Sequence, residues 1–448
     1  MSGQSKSIAV LGGGMLGQAL ALRLRSAGHN ITVFEASQVV GGLAAAWHVG
    51  GVTCDKHYHV ILPADTRLLE LLDELDLHGE IEWARSQTGF FAGGEMSPLN
   101  SALDYLRLPT LGLLPKLRVA ATLMFGARIS NGAPLEQIPV SKWLTRWSGK
   151  QAFERLWRPL LTAKLGENYK IASAGFIWAT IRRLYLARSS GAKTETLGYV
   201  GGGYARILAA LKRRLDQVGV QMLTGTPVVR VSQGADGVVS LATADGRQRH
   251  FDKVVSTLPA GVTAQICEGL SDDIRTRLDG VVYQGILCAT VVLDRGLSPY
   301  YLTYLTDPNM PFTAIVETSA LTGTAQFGGK HVIYLPRYAT QDDGYWALSD
   351  EEIRDDFLAG LRRVHPGFGE DQIVEFRLSR VRNVMAVPTL GYSAVVPPVE
   401  TNLPGVFIAS SAQITDGTLN VDATLGVVDA ALAVILRDAQ PSERRAAA

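Results

Sequence analysis

The chain has 448 residues, enough for two or three hydrophobic cores, and its 47% hydrophobic and 19% charged residues describe a globular rather than a disordered protein. Its 43 basic residues nearly balance 42 acidic ones, a net charge of +1, so no overall field recruits nucleic acid. Three scattered cysteines, Cys54, Cys267 and Cys288, form neither a disulfide framework nor a zinc pattern, which predicts a reducing, cytoplasmic setting.

The opening stretch MSGQSKSIAVLGGG lacks the charged-then-apolar layout of a signal peptide, and nowhere does the chain reach the ~20 apolar residues of a membrane-spanning helix. Ile8–Leu11 reads as a short apolar strand of the kind buried on both faces. Gly12, Gly14 and Gly17 follow as G-x-G-x-x-G, then a helix from about Met15 to Ala27 that stops at Gly28. Ile31–Phe34 is a second strand, closed by Glu35. Each part has a task in dinucleotide binding. Gly12 allows the tight turn, Gly14 lets a pyrophosphate approach the backbone, and Gly17 lets helix and strand pack closely. The helix start, at Met15 and Leu16, offers free N–H groups to the phosphates. Glu35, 18 residues after Gly17, is placed to accept a ribose hydroxyl, and an acid there disfavours a 2′-phosphate. Strand, turn, helix, strand and terminal acid together predict a Rossmann-type unit.

Past this unit comes the doublet Gly41-Gly42, and then DKHYHV at 55–60. If that stretch is a strand, Asp55, His57 and His59 share one face, which suits a metal site, an acid/base pair or simply a polar strand face. A metal site needs further ligands that the sequence does not display, so none is expected. Residues 106–129, LRLPTLGLLPKLRVAATLMFGARI, are apolar but interrupted by Pro109, Pro115, Lys116 and Arg118. They suit either core helices or a surface lying on a membrane or lining a greasy tunnel. In TIRRLYLARSS, Arg182, Arg183 and Arg188 flank Leu184, Tyr185 and Leu186. ILCATVVLD and HVIYLPR read as strands, and DEEIRDDFLAGLRRVH as an amphipathic helix.

The arrangement resembles the FAD-dependent amine oxidase superfamily, particularly its protoporphyrinogen oxidase and phytoene desaturase branch. The doublet after the acid is similar to the flavoprotein pattern. GYVGGGYARILAALKRRLDQVGVQMLTGTPVVRV (198–231) looks like the family's Gly-rich turn, helix and strand, DKVVSTLP (252–259) like the strand that re-enters the FAD domain, and LPGVFIASSAQITDGTLNVDATLGVVDAA (403–431) like its closing strand and helix. FERLWRPLLTAKLG (153–166) also has the look of this branch. The resemblance implies FAD, with Val228 meeting the adenine side through its backbone and the helix start at Asp422–Leu425 facing flavin N1 and the C2 carbonyl. The cofactor-binding set it implies is Gly12, Gly14, Met15, Leu16, Gly17, Glu35, Ala36, Gly41, Gly42, Leu43, Val228, Thr257, Ser411, Asp422, Thr424 and Leu425. It also relates Asp55 and His59 to a D-x-G-x-H stretch near the flavin or substrate cavity, with His57 in the glycine's place. His59 and His57 are then the candidate catalytic residues. Two departures stand out. Ser410-Ser411 occupies the usual Gly-Asp, and Leu43 follows the doublet where a basic residue is common.

The resemblance implies an α/β fold with a discontinuous Rossmann-type FAD-binding domain (1–85, 195–265 and 395–437), an α+β substrate domain (86–194 and 266–394) and a frayed tail (438–448). The activity it implies is oxidation or desaturation at a C–H of a small molecule. That substrate is apolar, such as a lipid or isoprenoid, or else an amine. Two other readings stay open: a flavin-dependent isomerase without net redox, of the UDP-galactopyranose mutase type, and a flavin-binding accessory protein without turnover. Nothing in the sequence fixes an oligomeric state.

Overall fold

The computed structural model describes residues 5–107, 110–186, 196–234, 237–415 and 419–437. Five parallel strands form the first layer, in the order Val406–Ile408, Lys253–Ser256, Ser7–Leu11, Asn30–Phe34 and Gln221–Leu223. They come from widely separated parts of the chain. Ile8 and Val10 pack into one core with the helices Met15–Ser26, Gly203–Gln217 and Val421–Ile435. Ala9 and Leu11 point the other way, into a core shared with the antiparallel strands Val228–Gln233, Val239–Thr243 and Gln248–Phe251. A strand covered on both faces has no polar side to show, hence its uninterrupted apolar run.

The second layer is a seven-stranded sheet in the order Ile373–Ala386, Tyr283–Leu293, His331–Ala339, Ala314–Glu317, Leu302–Leu305, Thr88–Ala92 and Glu95–Pro98. Every residue of Tyr283–Leu293 is buried. Leu287, Ala289, Val291 and Leu293 face the helix Asp350–Val364, whereas Ile286, Cys288 and Val292 face the hairpin Ala46–Val49/Val52–Asp55. That hairpin follows directly from the Gly41-Gly42 turn, so it links the first sheet to the second. A helical layer of Leu113–Arg128, Val140–Ser148, Arg158–Leu165 and Ala174–Leu186 closes over a core containing Trp143, Trp157 and Phe176.

Residues 86–194 are expected to be mostly helical, yet they open with the hairpin Thr88–Ala92/Glu95–Pro98. Its Gly93-Gly94 turn has φ of +63° and +79°, the left-handed pair that suits a two-residue hairpin loop. DKHYHV is not one strand either. The strand ends at Asp55, and residues 56–60 run on as a bend and coil, so Asp55, His57 and His59 do not share a sheet face. Arg188 and the 438–448 tail lie outside the described residues. Among the described residues, no helix is long and apolar enough to cross a membrane.

Candidate functional site

The glycine turn is built as its spacing requires. Gly12 has φ of +111°, and a Cβ there would stand 2.5 Å from Thr257 Oγ1, which donates to the Leu11 carbonyl at 2.7 Å. A Cβ on Gly17 would lie 1.9 Å from the Gly12 carbonyl oxygen, so only glycine lets the helix sit this close. At Gly14 the situation reverses, with no atom within 4 Å of the Cβ position. The turn therefore opens onto free space at the residue beginning the helix that carries Met15 and Leu16, where first-turn N–H groups have no intrahelical acceptor. Glu35 lies beside it. One carboxylate oxygen accepts from Gly13 N at 2.6 Å and the other from Ser37 N at 2.8 Å. A carboxylate offers about four acceptor positions, so capacity remains for a ribose hydroxyl.

Gly41 and Gly42 lie on the turn itself. Both have positive φ, Gly41 N donates to the Gly13 carbonyl at 2.9 Å, and a Cβ on Gly42 would meet Gly14 Cα at 3.4 Å. The segment before Val228 runs along the acid: Gly225 N donates to the Ser37 carbonyl and Thr226 N to the Glu35 carbonyl. Ala36 is thus flanked on both sides by this pairing. On the far side, Ala409 N donates to the Ser256 carbonyl, and Ser411 starts the short turn Ser411–Gln413. Asn420 caps the closing helix by accepting from Ala423 N at 2.9 Å.

Two expected side chains are engaged elsewhere. Asp422 accepts from Arg67 N at 2.8 Å and Leu68 N at 3.2 Å, at the start of the helix Thr66–Glu74. Thr424 Oγ1 donates back to the Asn420 carbonyl at 2.8 Å, and Leu425 is core. At these three positions the structure shows a helix start whose side chains are engaged elsewhere. The expectation missed Gln18, fully buried on the apolar helix, whose Nε2 donates to the Gly13 carbonyl at 2.8 Å. A lone amide on an otherwise apolar helix face was the available signal.

Asp55, His57 and Tyr58 of the histidine segment are each tied down by a hydrogen bond. Asp55 Oδ1 accepts from Tyr204 N at 2.9 Å, at the start of the helix Gly203–Gln217. His57 is 8% exposed, with Nδ1 3.0 Å from the Leu43 carbonyl and Nε2 3.2 Å from Ser379 Oγ. A carbonyl can only accept, so Nδ1 carries the proton and Nε2 accepts from the serine. Burial, aided by the charges of His59 and Lys56 and opposed by the Leu43 bond, holds the imidazole pKa down at about 4. Tyr58 Oη lies 2.9 Å from Tyr338 Oη. The His59 ring lies 4.5 Å from that of Tyr204, and its Nδ1 is 3.7 Å from Asp55 Oδ2, beyond hydrogen-bond reach. Asp55 and His57 are thus used in anchoring, and His59 is the imidazole with a nitrogen to spare. Among the described residues, no three His, Cys, Asp or Glu side chains gather as a metal site.

The family model for flavin-containing amine oxidoreductases matches residues 17–423. The chain belongs to that family. FAD is the family's cofactor, and the open turn at Gly14, Glu35 beside it and the doublet on top fit such a group. As a member, the chain has the Rossmann-like FAD-binding fold of this family. It is 26% identical over 281 residues to the hydroxysqualene dehydroxylase of Rhodopseudomonas palustris, covering 53% of this chain and 62% of that one. It is 21% identical to the zeta-carotene desaturase of Synechocystis sp. across 97% of this chain and 98% of that protein. An oxidoreductase from Methanosarcina mazei superposes with a TM-score of 0.74 at 18% identity, covering 95% of this chain and 99% of that one.

Proposed function

We propose that this protein oxidises a C–H bond of an apolar small molecule, a lipid or isoprenoid, by dehydrogenation or desaturation. The observation that carries the reading is the glycine turn open at Gly14, held between Glu35 and the Gly41-Gly42 doublet. Bound FAD supplies the acceptor for two electrons and hydrogen from the substrate carbon. The chain's own residues do the rest. The Gly12–Gly17 turn and the helix start at Met15 receive the pyrophosphate, and Glu35 and Ala36 the ribose side. His57 fixes the Leu43 carbonyl and with it the doublet. His59, neighbouring Asp55, is the group placed to hold or move a proton.

The apolar class of substrate is supported by the helix Leu113–Arg128. Its Leu113, Leu114 and Leu117 are 68%, 71% and 54% exposed, and Met124 and Phe125 are exposed as well. Beside it opens a groove of about 330 Å³ walled by Phe125, Ile129, Trp143 and Trp147, with Lys142 and Arg146 at its edge. Between residues 105 and 135 there is no Asp or Glu, and Arg107, Arg118 and Arg128 are exposed, whereas Lys116 is buried. An apolar face rimmed by cations suits peripheral contact with an anionic lipid surface, from which an apolar substrate enters. An amine is the second substrate class, on the strength of the family.

The test is the visible spectrum of the purified protein, followed by anaerobic bleaching with lipids, isoprenoids and amines. Flavin absorbance that an apolar substrate bleaches is the expected result. A protein that takes up no FAD overturns the proposal. Substrate conversion without any acceptor consumption favours the isomerase reading, and retained FAD that no candidate bleaches favours the accessory one.

A further inference from the structure

Lys164, at the end of the helix Arg158–Leu165, is a half-buried ammonium. Its Nζ donates to Tyr338 Oη at 2.5 Å and lies 3.7 Å from the centroid of that ring. Among the described residues no carboxylate lies within 4 Å of it, and its pKa is lowered by burial, with only the Tyr58 phenol acting the other way. One helical turn later Asn168 Nδ2 donates to Gln284 Oε1 at 2.9 Å. Gln284 is 0% exposed, and its Nε2 has no hydrogen-bond partner among the described residues. Tyr338 pairs with Ile286 across neighbouring strands, so Gln284, two residues along, shares its sheet face. Gly166 makes the approach possible: with φ of +53°, a Cβ there would stand 2.9 Å from Thr340 Cγ2 and 3.8 Å from Gln284 Nε2.

The cluster lies where the two layers meet. On one side Tyr338 holds Tyr58, the residue after His57, which grips the carbonyl of Leu43 beside the doublet. On the other, Leu165 belongs to a core against which Leu419 packs, just before the closing helix. A buried ammonium costs less when an anion joins it, and an orphaned amide donor costs less when an acceptor does.

We propose that Lys164 and Gln284, oriented by Tyr338 and Asn168, form a subsite for a carboxylate group of the substrate. The ammonium held by Tyr338 supplies the charge for one carboxylate, and the Gln284 amide a neutral donor from the same sheet face. One positive charge balances one carboxylate, whereas a phosphate monoester brings about −1.5 to −2 and leaves charge unmatched. The assignment rests on the reading of the protein as a flavoprotein that oxidises an apolar small molecule. It adds that the apolar substrate carries an acid group.

The experiment is calorimetric titration of the FAD-loaded protein with benzoate and with its neutral isostere benzamide. Wild type is expected to bind benzoate at least about tenfold tighter. Lys164→Met should bring the two ligands within about twofold while leaving benzamide affinity and the FAD-to-protein ratio unchanged, and Lys164→Arg should keep part of the preference. Tyr338→Phe, which keeps the ring and removes only the hydroxyl that holds Nζ, should weaken the preference severalfold and reports even if Lys164→Met does not fold. Binding of neither ligand, equal binding by wild type, or a preference that survives Lys164→Met overturns the subsite. Failure of the wild type to take up FAD would instead strike the flavoprotein reading, because FAD uptake is read by absorbance, separately from the calorimetric preference.

Discussion

Replacing His57 by asparagine tests whether a neutral imidazole clasps the doublet turn. In the folded chain its pKa is held at about 4 against an ordinary 6.5, mainly because burial penalises the charged ring. Between those values the unfolded chain binds a proton that the folded one refuses, so stability is present at neutral pH and is lost as pH falls. At about 1.4 kcal/mol per pH unit the gap is worth roughly 3 kcal/mol, lost progressively from about pH 6.5 and fully gone below about pH 4. Asparagine keeps an N–H in reach of the Leu43 carbonyl but cannot titrate and gives up the bond to Ser379. At pH 7 it should cost about 1–2 kcal/mol for that bond and the lost volume. Because only wild type titrates here, the difference should shrink below pH 6.5 and vanish or reverse by about pH 4.5. Urea unfolding read by tryptophan fluorescence, with FAD release followed in the same samples, measures both stability and the grip on the cofactor. Wild type and His57→Asn declining in parallel through this window would refute the reasoning, as would FAD release insensitive to the substitution.

Three further outcomes follow from the geometry. Gly17→Ala pushes a methyl to within 1.9 Å of the Gly12 carbonyl oxygen, so the helix must shift; a loss of about 1–3 kcal/mol is expected, and with it FAD retention measured by absorbance ratio. Asp55→Ala strips the carboxylate from Tyr204 N at the start of the helix Gly203–Gln217 and should lower stability by about 1 kcal/mol in thermal unfolding, with FAD content largely kept. Leu114→Glu combined with Leu117→Glu should cut sedimentation with phosphatidylglycerol-containing vesicles at least about tenfold without moving the flavin spectrum, and unchanged vesicle binding would remove this face from the membrane contact.

What was legible in the sequence was what neighbouring residues decide. The strand now seen as Ser7–Leu11, the helix Met15–Ser26 and the strand Asn30–Phe34 were readable because a strand buried on both faces leaves an apolar run and the turn leaves its glycines in register. The hairpin at Gly93-Gly94 was readable too, but the weight of apolar runs after it pointed to helices. Contacts that depend on distant chain were not legible. The partner of His57 is Ser379, 322 residues away, and that of Asp422 is the backbone at Arg67 and Leu68. Lys164 stands in sequence as one more cation in FERLWRPLLTAKLG. Only the fold places it on the ring of Tyr338.

The same distinction explains why alternation misled at DKHYHV. Alternate spacing delivers three side chains to one face only while the chain stays extended, and here extension ends at Asp55, where the hairpin from the doublet runs out. From there the side chains turn apart: Asp55 and His59 to Tyr204, by its N–H and its ring, His57 to Leu43 and Ser379, and Tyr58 to Tyr338. A short coil held on the helix at Tyr204, on Leu43 and Ser379, and on Tyr338 works as a clasp between the glycine turn and the seven-stranded sheet. An imidazole at position 57 suits this role because its neutral ring offers one donor and one acceptor on opposite edges, matching a carbonyl on one side and a hydroxyl on the other. A glycine in its place would leave the Leu43 carbonyl without that donor. The side chain that looked like a metal ligand is therefore better explained as the tether that holds Leu43 in place beside the doublet.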